Sequence, residues 1–164
     1  MSISMIADIL KDVSKWESPL DEIVPVNYGE FFCRKDWLQI IQMISNKLPR
    51  TNIVLPTNGS LLNDQNVESL CDIPNLKIVN FSLNAFFKET YKNFMGLPPE
   101  IMKTIAQSID LFHVLRPDIV LWASMVFDPA YQSDIERDYF VEYWKRRKVE
   151  PWILAAASCG KGTE

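Results

Sequence analysis

Apolar and polar positions alternate along this chain in two periods, and the switches between them mark its elements. Ile6, Ile9, Leu10 and Val13 recur at helical spacing, predicting an amphipathic helix over 3–16. After a turn around Pro19 comes Ile23-Val24-Pro25-Val26-Asn27-Tyr28-Gly29-Glu30-Phe31-Phe32. An apolar run breaking sharply into polar residues reads as a buried parallel strand, about 22–28, that ends at a ligand-facing turn. Trp37, Ile40, Ile41, Ile44 and Leu48 then form a helical stripe over 35–48. A short strand from Asn52 to Leu55 runs into Pro56-Thr57-Asn58-Gly59, and a helix over 63–71 takes Asn63 as its N-cap.

The same alternation continues. A strand over 77–83 enters Ser82-Leu83-Asn84-Ala85, followed by a helical turn from Phe87 to Asn93. Pro99 and Glu100 open a helix with the stripe Met102, Ile105, Ile109 and Phe112. Ile119 to Phe127 is nearly all apolar and reads as a strand buried on both faces. Ser133 to Glu136 fits a capping box opening a helix with Ile135, Tyr139, Phe140 and Tyr143 inward. Trp152 to Ala157 is the fifth strand and Ser158 to Glu164 a loose tail. One helix, four β-α units and a last strand predict an α/β fold, a parallel sheet of about five strands with right-handed crossover helices. The 164 residues form a single domain by this reading.

Composition narrows function mainly by exclusion. A net charge of −4, with 48% hydrophobic and 23% charged residues, belongs to an ordinary globular chain and gives no reason to expect nucleic acid. No apolar run reaches membrane-span length and nothing near Met1 resembles a signal peptide, so the expected location is cytoplasmic. Cys33, Cys71 and Cys159 make no CxxC or zinc spacing and read as small buried apolar residues. His113 lies in a helical pattern and reads as a satisfied or exposed histidine; Lys145-Arg146-Arg147-Lys148 complements the end of a helix.

In parallel α/β folds, ligands sit at the C-terminal strand ends. Those ends are Tyr28-Gly29-Glu30, Thr57-Asn58-Gly59, Ser82-Leu83-Asn84-Ala85 and Phe127-Asp128. Each alone is explained equally well by turn formation. Four in succession, with Glu30 among them, point to a binding rim.

The Gly-Glu turn, the Thr-Asn-Gly turn, and Ser-Leu-Asn-Ala followed by Glu89-Thr90-Tyr91 resemble the core of radical S-adenosylmethionine (SAM) enzymes over residues 3–157. The resemblance implies part of a (β/α)6 TIM-like barrel. In that family a Gly-Gly-Glu-Pro turn holds the SAM amino group; here Tyr28 replaces the first glycine and Phe31 the proline. Cofactor contacts would accordingly fall on Tyr28, Gly29, Glu30, Ser82 and Asn84, with Thr57 and Asn58 nearby. Family members also carry CxxxCxxC, whose thiolates hold the [4Fe-4S] cluster that cleaves SAM. That loop and the strand before it have no counterpart here. No catalytic or metal-binding residue is therefore expected in this chain, and SAM binding is expected to be weak or absent. The reading is a truncated or fragmentary radical SAM domain, inactive as it stands; the alternative is a stand-alone, non-catalytic α/β binding or interaction domain. Sheet edges at 22–28 and at Trp152 to Ala157, the latter without internal charge or proline, predict a homo-oligomer.

Overall fold

The computed structural model describes residues 1–26 and 29–156. Its elements are α1 (Ile3–Val13), β1 (Glu22–Ile23), a 3-10 turn (Phe31–Cys33), α2 (Trp37–Lys47), β2 (Asn52–Thr57), α3 (Asp64–Cys71), β3 (Leu76–Ser82), α4 (Lys88–Met95), α5 (Ile101–Leu115), β4 (Val120–Phe127), α6 (Asp134–Arg146) and β5 (Glu150–Ala155). The five strands form one sheet in the order β1-β2-β3-β4-β5, and every neighbouring pair is parallel. Right-handed crossovers between sequential parallel strands put their helices on one face. The sheet is thus an arc of a barrel with an outer helical layer.

Burial follows that arrangement. Leu55, Val79, Phe81, Leu121, Ala123 and Met125 face the helices and are almost wholly buried. Against them pack Ile41, Ile105, Ile109, Phe112 and Phe140, with Phe81 and Phe112 edge to face at 6.5 Å. Each such side chain removes apolar surface worth about 1.5–3 kcal/mol from water, so this layer carries most of the stability. The opposite, inner face is open. Its positions include Val120, Trp152 and Leu154, exposed by 40%, 46% and 42%, and half-buried Trp122. The expectation that the fourth strand is buried on both faces is therefore corrected: only its helix-facing side is covered.

Local signals placed several boundaries. Ser2 caps α1, accepting from Met5 N at 3.3 Å, and Asn63 caps α3, accepting from Asn66 N at 2.9 Å. Gly96 closes α4 in the left-handed region, φ 62°. Other boundaries moved. The first strand shrinks to two paired residues, because Pro25 cannot donate to a ladder and the register of β2 against β3 shifts at Ile53/Val54. From Val54 onward β2 pairs only with β3, which is why Pro56 can sit inside it. The last strand starts two residues earlier than expected, at Glu150, and so contains both a charge and Pro151.

The inward face of α6 also differs. Glu136, Phe140 and Trp144 are buried, whereas Ile135 and Tyr139 are exposed by 65% and 57%. The helix carries apolar residues on two sides, and periodicity alone does not tell which side meets the sheet. The tail 158–164 lies outside the described residues. Among the described residues no helix is long and apolar enough to cross a membrane.

Candidate functional site

Two groups of side chains close the C-terminal rim of the sheet. The first is built on Glu30. Its Oε1 accepts from Thr57 Oγ1 at 2.8 Å and from Phe32 N at 3.4 Å, and its Oε2 accepts from Asn58 N at 2.7 Å. Thr57 ends β2 almost fully buried, and its hydroxyl uses both capacities: it donates to Glu30 and accepts from Gly59 N at 2.9 Å. Asn58 turns its Oδ1 onto Ser60 N at 2.9 Å, an Asx turn. Gly59 holds φ 73°, and a Cβ there would stand 2.8 Å from Ile105 Cγ1, so this turn packs directly on α5. Gly29, at φ 81°, faces open space instead.

The second group joins the turns after β3 and β4. Asn84 takes φ 57°, a left-handed conformation that asparagine tolerates better than most residues. Leu83 N and Asn84 N both donate to Ser124 O, at 2.9 and 3.1 Å. The Asn84 side chain accepts from Val126 N at 3.1 Å and lies 3.4 Å from Met95 Sδ. Gln132 binds the Asn84 carbonyl through Nε2 while its Oε1 accepts from Asp128 N at 2.7 Å. Glu136, only 1% exposed, accepts from Phe86 N at 2.7 Å and Phe87 N at 2.9 Å, both on Oε1.

The structure therefore brings Glu30, Thr57 and Asn58 into direct contact, and places Ser82 and Asn84 in the other group. Ser82 lies beside Ser124 in register, on the inner face that also holds Asn80. Asn80 Oδ1 is buried with no hydrogen-bond partner among the described residues, an acceptor left open on the concave side. Tyr28 lies outside the described residues. Sequence reasoning missed Gln132 and Glu136 as rim residues. The Ser-x-x-Glu spacing was visible, and Ser133 does accept from Glu136 N at 3.2 Å, but the carboxylate reaches across the fold rather than back along its own helix.

The cysteines are not a buried set: Cys33 is exposed, Cys71 is half-buried with burial pushing its thiol up, and Cys159 is outside the described residues. His113 Nε2 lies 2.9 Å from Arg147 O, a satisfied position. Among the described residues no group of three His, Cys, Asp or Glu side chains could hold a metal ion. The donor set does not fit a [4Fe-4S] cluster. The rim suits a zwitterionic nucleoside better: Glu30 receives three hydrogen bonds, and a carboxylate offers about four acceptor sites.

An arc of parallel strands with polar C-terminal turns and helices outside is a radical SAM-like fold. Solved structures of anSMEcpe, an anaerobic sulfatase-maturating enzyme of the radical SAM class, are similar to it. Histidine-tagged anSMEcpe with bound AdoMet matches with a TM-score of 0.72 and 14% identity, over 96% of this chain and 43% of that one. Native anSMEcpe with bound AdoMet and Kp18Cys peptide matches with a TM-score of 0.69 and 16% identity, over 100% and 46%. The chain thus spans less than half the length of these neighbours, and at such identity the likeness is one of fold. No protein-family model and no curated protein sequence matches the chain.

Proposed function

We propose that the chain is a partial radical SAM domain that binds SAM weakly at its rim and does not cleave it. The observation that carries this reading is the Glu30 carboxylate bridging the turns after β1 and β2, at 2.8 Å from Thr57 and 2.7 Å from Asn58. It holds the backbone of two successive strand ends in the order the resemblance assigns to the SAM amino-acid end. Gly29, Ser82 and Asn84 continue the same rim. The partial character is supported by a match over almost all of this chain and under half of anSMEcpe. Cleavage would need a redox centre that the described residues have no thiolate set to hold.

Calorimetric titration tests the binding half. The expected dissociation constant for SAM is on the order of a millimolar, about −4 kcal/mol, weakened further by Asn84→Ala. Absence of binding at ten times that concentration would overturn it. Anaerobic reconstitution with iron and sulfide tests the rest: a stoichiometric cluster and 5′-deoxyadenosine on reduction would overturn inactivity.

A second reading, a non-catalytic α/β binding domain, is favoured by one feature. Glu30 and Asn84 commit their side chains to the fold itself. Under that reading SAM gives no heat, and Asn84→Ala lowers the melting temperature without altering any nucleoside affinity.

A further inference from the structure

The outer side of α6 is an apolar strip with no counterpart in the molecule to cover it. Phe86, Ile135, Tyr139 and Tyr143 line an open groove of about 530 Å³. The rings are ordered: Phe86 stacks on Tyr139 at 6.4 Å with 5° between planes, and Phe87, 40% exposed, lies 5.9 Å from Tyr139. The other side of the same helix already contributes Phe140 and Trp144 to the core. Contiguous exposed apolar surface with a polar border marks an interaction site.

Charge identifies the occupant. Along α6, Asp134, Asp138 and Glu142 precede Lys145 and Arg146, so the strip runs from an acidic end to a basic one. A second α6 laid antiparallel, with Tyr139 near a two-fold axis, sets each acidic half against the other's basic half. It also opposes the two helix dipoles. This surface is complementary to itself, which is the requirement for a closed isologous contact. We propose that the protein forms a two-fold dimer through α6, seated on Ile135 and Tyr139.

The groups needed are available. The Arg146–Glu142 pair, at 3.3 Å, has side chains 79% and 65% exposed, and such surface pairs exchange partners at little cost. Arg147 is committed elsewhere, to Asp110 at 2.9 Å and over the Tyr143 ring. The sheet edges are weaker competitors: β1 offers two paired residues, and β5 begins with Glu150 and Pro151.

Light scattering behind a sizing column, at tens of micromolar, reads the result. Wild type is expected as a dimer and Tyr139→Lys as a monomer, its association weakened at least about tenfold. Asp138→Lys and Arg146→Glu each place like charges at both ends of the contact and should dissociate it. Mixed together, the two variants restore opposite charges at both ends and should re-form a heterodimer. All three positions are exposed, and unchanged circular dichroism verifies folding. A monomeric wild type overturns the proposal. So does a dimer that survives Tyr139→Lys but is lost in Trp152→Lys, which would move the contact to the sheet.

Discussion

Two carboxylates hold the rim together, and they do so in opposite ways. Glu30 stands half-buried and uses both oxygens, one for Thr57 and Phe32 and the other for Asn58. Glu136 is almost fully buried and receives both of its turn N–H groups on a single oxygen. Glu30 ties neighbouring turns to each other. Glu136 reaches from the start of α6 back to the turn after β3, fifty residues away in the chain. A clamp on one oxygen needs only a carbonyl-like acceptor, whereas a clamp on two oxygens needs the whole carboxylate. Alanine and glutamine substitutions separate these cases.

The largest effect is expected for Glu136→Ala. It removes two charge-assisted bonds and leaves a void beside Phe86, at a cost of about 2–3 kcal/mol. Thermal and urea denaturation measure it. Glu136→Gln keeps a carbonyl oxygen for both N–H groups and should cost about 1 kcal/mol. If glutamine proves as damaging as alanine, the charge matters more than the acceptor, and the one-oxygen description fails.

Next in size is Glu30→Gln. An amide there must turn its NH₂ group towards either the Asn58 N–H or the Phe32 N–H, opposing two donors. The loss should be about 1–2 kcal/mol and nearly equal to that of Glu30→Ala, the reverse of the pattern at Glu136. A glutamine variant much milder than alanine would show that Thr57 alone supports the clamp.

The two clamps also show what a sequence discloses. Gly-Glu, Thr-Asn-Gly and Ser-Leu-Asn-Ala were legible because strand ends and turn formers are local signals, and local order gave the parallel sheet. Asn63 and Ser133 were legible as caps for the same reason. Glu136 was legible only as far as its own helix, since its partners lie across the fold. Ile135 and Tyr139 were read as inward because α6 carries apolar residues on two sides, and only tertiary packing selects between them. The two-residue β1 depended on how far β2 could offer partners, which no window of residues contains.

The smallest effect sharpens the contrast between the halves of the rim. Glu136 fixes Phe86 and Phe87, and Phe87 O in turn accepts from Tyr91 N at 2.8 Å in the first turn of α4. Yet the Tyr91 hydroxyl is buried without a partner among the described residues, as is Trp144 Nε1 on α6. The Glu136 half therefore pairs its backbone groups but leaves side-chain donors unpaired. Burial pushes the Tyr91 phenol from 10.0 up to about 12. The unfolded chain releases this proton near 10 while the folded one keeps it, so the folded state loses ground as pH rises from 10 towards 12. Below that window the contribution does not change with pH. Tyr91→Phe removes an unpaired hydroxyl along with this titration. Its neutral-pH stability should match wild type or exceed it by up to about 1 kcal/mol. Above pH 10 the variant should hold its melting temperature better than wild type. Tyrosinate absorbance should show one of the five tyrosines ionising late in the native protein, and that late step should vanish in the variant. A clear loss of stability at neutral pH would mean that the hydroxyl has a hydrogen-bond partner in solution, and the two halves of the rim would then be equally well paired.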